Sequence, residues 1–145
     1  MFIGEYKHSI DEKGRIAIPA KFRKALEKGA VVTRGLDNCL FVYPAKEWQE
    51  QAARIASLQI YKSDHRAFNR HMLSGAMELE VDKQGRAVIP DYLRKFAGIT
   101  KKVVVAGLYN RIEVWNEDAW EKYKQATETE SNAIAERMGE LHMEQ

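Results

Sequence analysis

Two short segments hold the residue types best suited to chemistry: Asp11 and Arg15 in DEKGRIAIP, residues 11 to 19, and Asp82 and Arg86 in DKQGRAVIP, residues 82 to 90. A carboxylate four residues before a guanidinium permits an ion pair across a tight turn, acid–base work with a nearby histidine, or a cation held out toward an anion. For acid–base work the first segment would recruit His8, just upstream, but the same place in the second segment is Leu79. Strand alternation also turns His8 inward, where a histidine more often packs than reacts. His65, His71 and His142 show no metal-ligand spacing, and the chain has no phosphate-binding glycine loop, nucleophile elbow or zinc knuckle. Cys39 lies in the apolar string CLFVY and reads as a small buried hydrophobe. No catalytic residue, metal, cofactor or small-molecule substrate is therefore expected.

The glycine position explains part of each segment. In D-E-K-G-R it suits a three-residue hairpin loop, with Glu12 and Lys13 in the turn and Gly14 left-handed; Lys83, Gln84 and Gly85 repeat it. Aspartate at the first position accepts backbone N–H groups, so Asp11, Asp82 and the glycines are justified by the turn alone. As exposed ion pairs the Asp–Arg couples would contribute at most about 1 kcal/mol. The turn makes no demand for arginine after its glycine, yet both copies have one, so a guanidinium is expected to project from each hairpin tip. Lys7, Lys13, Lys21, Arg23 and Lys24 surround the first tip, whereas Glu78, Gln84, Asp91 and Tyr92 take several equivalent places in the second. A phosphate-bearing partner would lean mainly on the first copy.

The elements that position these tips come from a duplication. At an offset of 71, Gly14 matches Gly85, Arg15 matches Arg86, Pro19 matches Pro90 and Arg23-Lys24 matches Arg94-Lys95; at 72, Gly35-Leu36, Val42 and Trp48 match Gly107-Leu108, Val114 and Trp120. Two copies of about 70 residues form a pseudo-symmetric pair rather than a solenoid. Tyr6, His8 and Ile10 alternate with polar residues, as do Met77, Leu79 and Val81, which predicts half-buried strands. Each copy reads strand, strand, short helix, strand, strand, longer helix. Residues 45 to 74 are predicted helical, with Ser63 capping a second helix, and Ile134, Met138 and Leu141 give the tail one apolar stripe. The expected division is 1–74 and 75–145, together one domain of α+β class.

Length suffices for a core without disulfides or metal. The longest apolar runs are far shorter than a bilayer span and no leader pattern opens the chain, so a cytoplasmic protein is expected. Net charge is only +2, but residues 1 to 72 hold 13 of the 23 basic and 8 of the 21 acidic side chains, leaving +5 there and −3 beyond. That offset fits an anionic partner.

MFIGEYKHSIDEKGRIAIPAKFR, DKQGRAVIPDYLRKFAGI and GLYNRIEVWNEDAW together resemble the MraZ family, bacterial regulators encoded at the head of the division and cell-wall gene cluster. More distantly, the doubled motif is similar to the DNA-binding half of AbrB-type regulators. The resemblance implies a pseudo-symmetric β-barrel of AbrB/SpoVT-like type with helices outside. It also implies a ring-like homo-oligomer that grips short direct repeats in double-stranded promoter DNA, represses its own operon and associates with the nucleoid. The pairs Asp11/Arg15 and Asp82/Arg86 would be signature positions, and Lys13, Gly14 and Arg15 would contact DNA, with Arg23, Lys24, Lys7 and Arg86 as further candidates. Whether Arg86 touches DNA or a neighbouring subunit stays open. Two rival readings are an enzyme using the Asp-x-x-x-Arg pairs and an antitoxin-like module whose polar segment after Gln125 binds a partner protein.

Overall fold

Proline and glycine punctuate the chain, and the elements fall between them. The computed structural model describes residues 1–143, with side chains followed to residue 140, so the side chains of Leu141 and His142 lie outside the described residues. The first repeat gives strands β1 (Phe2–Ser9) and β2 (Arg15–Ala17), helix α1 (Ala20–Leu26), strands β3 (Ala30–Arg34) and β4 (Leu40–Pro44) and helix α2 (Ala45–Ala56). After helix α3 (Ser63–Leu73) come β5 (Met77–Leu79), β6 (Arg86–Val88), α4 (Asp91–Phe96), β7 (Lys102–Tyr109), β8 (Ile112–Asn116) and α5 (Glu117–Met143). Pro19, Pro44 and Pro90 stand at the N-caps of α1, α2 and α4 with φ of −51°, −56° and −56°, where a preset φ suits helix entry and a missing N–H costs nothing.

Two local expectations are corrected. Ser63 is the first residue of α3 rather than its cap: Lys62 takes the extended N-cap conformation and makes no side-chain capping bond among the described residues. Met77, expected on the inner face of its strand, is instead 45% exposed, and in β5 Leu79 is the residue that is buried. Here α3 runs on to Leu73, aligned with Phe2 at the start of β1, and Ser74 to Ala76 turn the chain before the strand, so β5 is three residues against eight in β1.

Strand pairing exchanges the repeats. Six antiparallel strands form one sheet in the order β1-β7-β8-β4-β3-β5, and β2 pairs with β6 in a separate ribbon. The first strand of each repeat thus lies against the third strand of the other: β1 on β7 over eight positions, β5 on β3 over three. Ladder hydrogen bonds leave β1 and β5 at the two ends of the order, so they do not themselves close a barrel.

Alternation along the central strands feeds two cores. Val32, Leu40, Val42, Val103, Val105, Ile112 and Val114 point to one face, where Ile16 and Ala87 of the ribbon and Phe22 and Leu93 of α1 and α4 pack on them. Phe41, Tyr43, Val104 and Trp115 point to the other face, covered by Ile55 of α2, Met72 and Phe68 of α3 and Trp120 of α5. With both faces covered, β4 and β7 carry continuous apolar runs, whereas β8 includes the buried Glu113. Each fully buried aliphatic side chain, such as Ile16, stabilises by about 1.5–3 kcal/mol relative to exposure. Cys39 lies in the second core, where burial foremost and the nearby Glu113 push its thiol well above the usual range. No helix among the described residues is long and apolar enough to cross a membrane.

Candidate nucleic-acid interface

Each Asp-x-x-Gly-Arg segment closes a tight loop between β1 and β2 or between β5 and β6. Gly14 and Gly85 take φ of +80° and +78°, in the left-handed region where a side chain is strained, and their N–H groups donate to the Asp11 and Asp82 carbonyls at 3.0 and 2.9 Å. Asp11 Oδ1 accepts the backbone N–H of Lys13 at 2.9 Å and of Arg15 at 2.8 Å. Asp82 Oδ1 accepts those of Gln84 and Arg86, both at 2.9 Å. These backbone donors, led by the amide of the arginine, hold both carboxyls below their ordinary range. The aspartates are thus committed to the turns.

Their second oxygens meet the arginines. Arg15 donates Nε–H to Asp11 Oδ2 at 2.6 Å, whereas Arg86 Nε stands 3.6 Å from Asp82 Oδ2 and has no hydrogen-bond partner among the described residues. Neither guanidinium is sealed in, since the Arg15 and Arg86 side chains remain 31% and 34% exposed. Fixing Arg15 by Nε leaves its terminal nitrogens available to an outside acceptor.

The ribbon brings the two arginines onto one surface. Arg15 lies opposite Val88, Ile16 opposite Ala87 and Ala17 opposite Arg86. Ile16 and Ala87 are buried, so two-residue alternation turns Arg15, Ala17, Arg86 and Val88 outward together. As diagonal neighbours on one face, Arg15 and Arg86 have Cα atoms roughly 7–8 Å apart. The sequence reading of two separate tips missed this juxtaposition.

The surroundings of the two loops differ. Lys13 and Arg15, together with Asp11 and Glu12, share a hollow with Thr100 and Lys101, and the Lys101 carbonyl accepts Ile10 N–H at 2.7 Å. Thr100 and Lys101 belong to the other repeat, so no spacing around the motif could have found them. The hollow beside Arg86, which Arg15 also borders, is lined by Glu78, Glu80 and Asp82, with Met77 and Val88. The other candidates are dispersed: Lys7 stands 3.6 Å from Glu121 of α5, and Lys24 is exposed in the last turn of α1. Arg23 donates Nε–H to the Ile18 carbonyl at 2.8 Å.

The residues weighed for catalysis do not converge. His8 Nε2 is buried without a hydrogen-bond partner among the described residues; burial and then Arg23 lower its pKa, which favours the neutral ring. His71 Nε2 lies 2.8 Å from the Gly35 carbonyl. No group of three or more metal-ligating side chains comes together among the described residues. A third hollow, between α5 and β8, is lined by Trp115, Trp120 and Tyr123 with Arg111 and the buried Glu113.

Fold and site define a small duplicated α+β protein that displays arginines on a two-stranded ribbon. Comparison with known proteins narrows the class. A family described as "MraZ protein, putative antitoxin-like" matches twice in tandem, over residues 1–71 and 72–141. The chain is 51% identical over 138 residues to a transcriptional regulator MraZ of Natranaerobius thermophilus, covering 95% of this chain and 96% of the relative. It is 49% identical over 138 residues to the one of Moorella thermoacetica, with the same coverage. For the one of Thermoanaerobacter sp. the identity is 47% over 143 residues, covering 99% of this chain and all of the relative. The chain belongs to the MraZ family.

Proposed function

We propose that this transcriptional regulator binds double-stranded promoter DNA through the outward face of the β2–β6 ribbon and represses its own division and cell-wall operon. One observation carries the reading: Arg15 and Arg86 stand together on the exposed side of an antiparallel two-stranded ribbon, each beside the aspartate of its own turn. A ribbon of that kind fits the major groove, about 12 Å wide, where an arginine bonds guanine O6 and N7 together. Arg15, positioned through Nε, is the principal reader. Lys13 and Lys101 meet phosphate beside it, Gly14 serves the contact by holding the turn, its N–H and carbonyl being bonded to Asp11 and Ile89, and Lys24 and Lys7 supply more distant charge.

Glu78 and Glu80 oppose phosphate near Arg86, so the first hairpin contributes more of the binding. A chain with two or three phosphate contacts binds weakly at physiological salt, because each contact adds only about 0.9 to the salt slope. Several chains in a ring-like homo-oligomer, meeting short direct repeats, raise the effective concentration and gain about a hundredfold or more. On this reading the sheet and ribbon, packed on a shared apolar core, form the pseudo-symmetric barrel of AbrB/SpoVT type, built from repeats 1–74 and 75–145. The protein works in the cytoplasm at the nucleoid.

The acid–base reading fits less well, since both aspartates are occupied by backbone amides and His8 is not bonded to Asp11. An extended partner-binding tail also finds little support, because α5 is helical through Met143. The deciding experiment is a footprint on DNA from upstream of the protein's own reading frame. Protected boxes at regular intervals are expected; uniform protection, or none, would overturn the reading.

A further inference from the structure

The two hairpins are fastened to each other by arginines that exchange repeats. The Gly14 carbonyl of the first loop accepts Ile89 N–H of the second repeat at 2.8 Å, and the Gly85 carbonyl accepts Ile18 N–H of the first repeat at 2.8 Å. Each of these isoleucines is held by an arginine of its own repeat. Arg94 Nη1 donates to the Ile89 carbonyl at 3.0 Å, and Arg23 Nε donates to the Ile18 carbonyl at 2.8 Å. The same guanidiniums lie against the turn glycine of the opposite repeat: a methyl group built on Gly14 would overlap Arg94, and one built on Gly85 would overlap Arg23. Both glycines are thus fixed twice, by their positive φ and by the arginine seated on their open side.

We propose that Arg94 and Arg23 are positioning residues acting across the duplication: Arg94 sets the first hairpin and Arg23 the second, and Arg23 is not itself a DNA contact. The DNA part of this assignment rests on the ribbon-face reading above. The two fasteners are unequal. Asp91 reaches Arg94 at 3.3 Å, whereas the aligned position beside Arg23 is Ala20, which offers no carboxylate. The basic hairpin that carries Arg15 is therefore the one held by the doubly anchored arginine.

The arrangement explains why both repeats keep arginine four residues after proline. A flat guanidinium with several donors can bond a carbonyl and lie against a glycine at once; a lysine ammonium is a point charge and cannot do both. At a phosphate contact, by contrast, lysine serves nearly as well as arginine. The conservative substitution therefore separates positioning from contact.

The test uses the full-length protein with Arg94→Lys and Arg23→Lys. Amide hydrogen exchange without DNA is the first readout. Arg94→Lys is expected to speed exchange at Lys13, Gly14 and Arg15 by about tenfold, the size of one lost hydrogen bond, while Gln84 to Arg86 stay near wild type. Arg23→Lys should show the mirror pattern. Acceleration confined to the variant's own repeat, or none, would overturn the cross-repeat assignment, whatever the DNA result.

Operator titration against salt is the second readout. Arg94→Lys is expected to lower affinity by about tenfold at every salt concentration with an unchanged slope, because no phosphate contact is lost. Wild-type affinity for Arg94→Lys despite faster exchange would overturn its role in binding. Arg23→Lys tests the second arm: intact protection at Gln84 to Arg86 with a salt slope lowered by about 0.9 in Arg23→Ala would make Arg23 a contact instead. If the wild-type protein left the operator unprotected, the DNA reading would fall while the exchange result still decided the fastening.

Discussion

Replacing Arg15 by alanine separates folding from recognition, because the turn does not depend on the guanidinium. Asp11 Oδ1 keeps its two backbone donors, Lys13 at 2.9 Å and Arg15 at 2.8 Å, whatever side chain follows Gly14. What disappears inside the protein is the Nε–Oδ2 contact of 2.6 Å between side chains that are 31% and 39% exposed. Such a pair contributes at most about 1 kcal/mol, which lowers Tm by roughly 2–4 °C in a domain near this size. On the DNA side, a lost paired contact to guanine removes about 1–3 kcal/mol per chain, roughly 5- to 160-fold in affinity for one box. Duplexes carrying several boxes should lose more, since each weakened contact multiplies through the assembly. Fluorescence anisotropy with one-box and several-box duplexes, at two salt concentrations, reads the loss; calorimetry and size exclusion on the same preparation read fold and assembly. Unchanged affinity would refute the placement of Arg15 as reader. A collapse of Tm by much more than these few degrees would refute the claim that the turn stands without it.

Gly14→Val should act by the opposite route. A left-handed non-glycine residue costs about 1–2 kcal/mol, and a side chain there must also push Arg94 aside, so thermal stability should drop clearly; an unchanged Tm would remove the case for strain. Acid should loosen both turns. Asp11 and Asp82 have folded pKa values below their ordinary 3.8, so the stability they contribute is fully present above that value and is lost as pH falls through the lower folded values. Tm of the wild type should fall below about pH 4, and the double variant Asp11→Asn with Asp82→Asn should fall slightly less; identical acid limbs would exclude these groups as the cause. Cys39, buried and with its thiol held protonated, should react with an aromatic disulfide reagent only as fast as the protein opens; equal rates in buffer and in urea would contradict that burial.

Sequence alone determined what is local. A glycine with φ near +80° after an aspartate that gathers two amides is written within five residues, so both loops, and the arginine that follows each, were readable from spacing. Proline before each short helix and the 71-residue offset were readable for the same reason: short-range bonds and backbone sterics need no distant partner. Other features depended on which distant edges meet. That β1 takes β7 while β5 takes β3, that Arg15 and Arg86 share one ribbon face, that Lys101 borders the first loop and that Arg94 sits on Gly14 all join residues of different repeats. The reason is geometric. Each repeat alone leaves strand edges and one apolar face unpaired, and only docking the two copies decides which side chains the exchanged strands carry to a common surface.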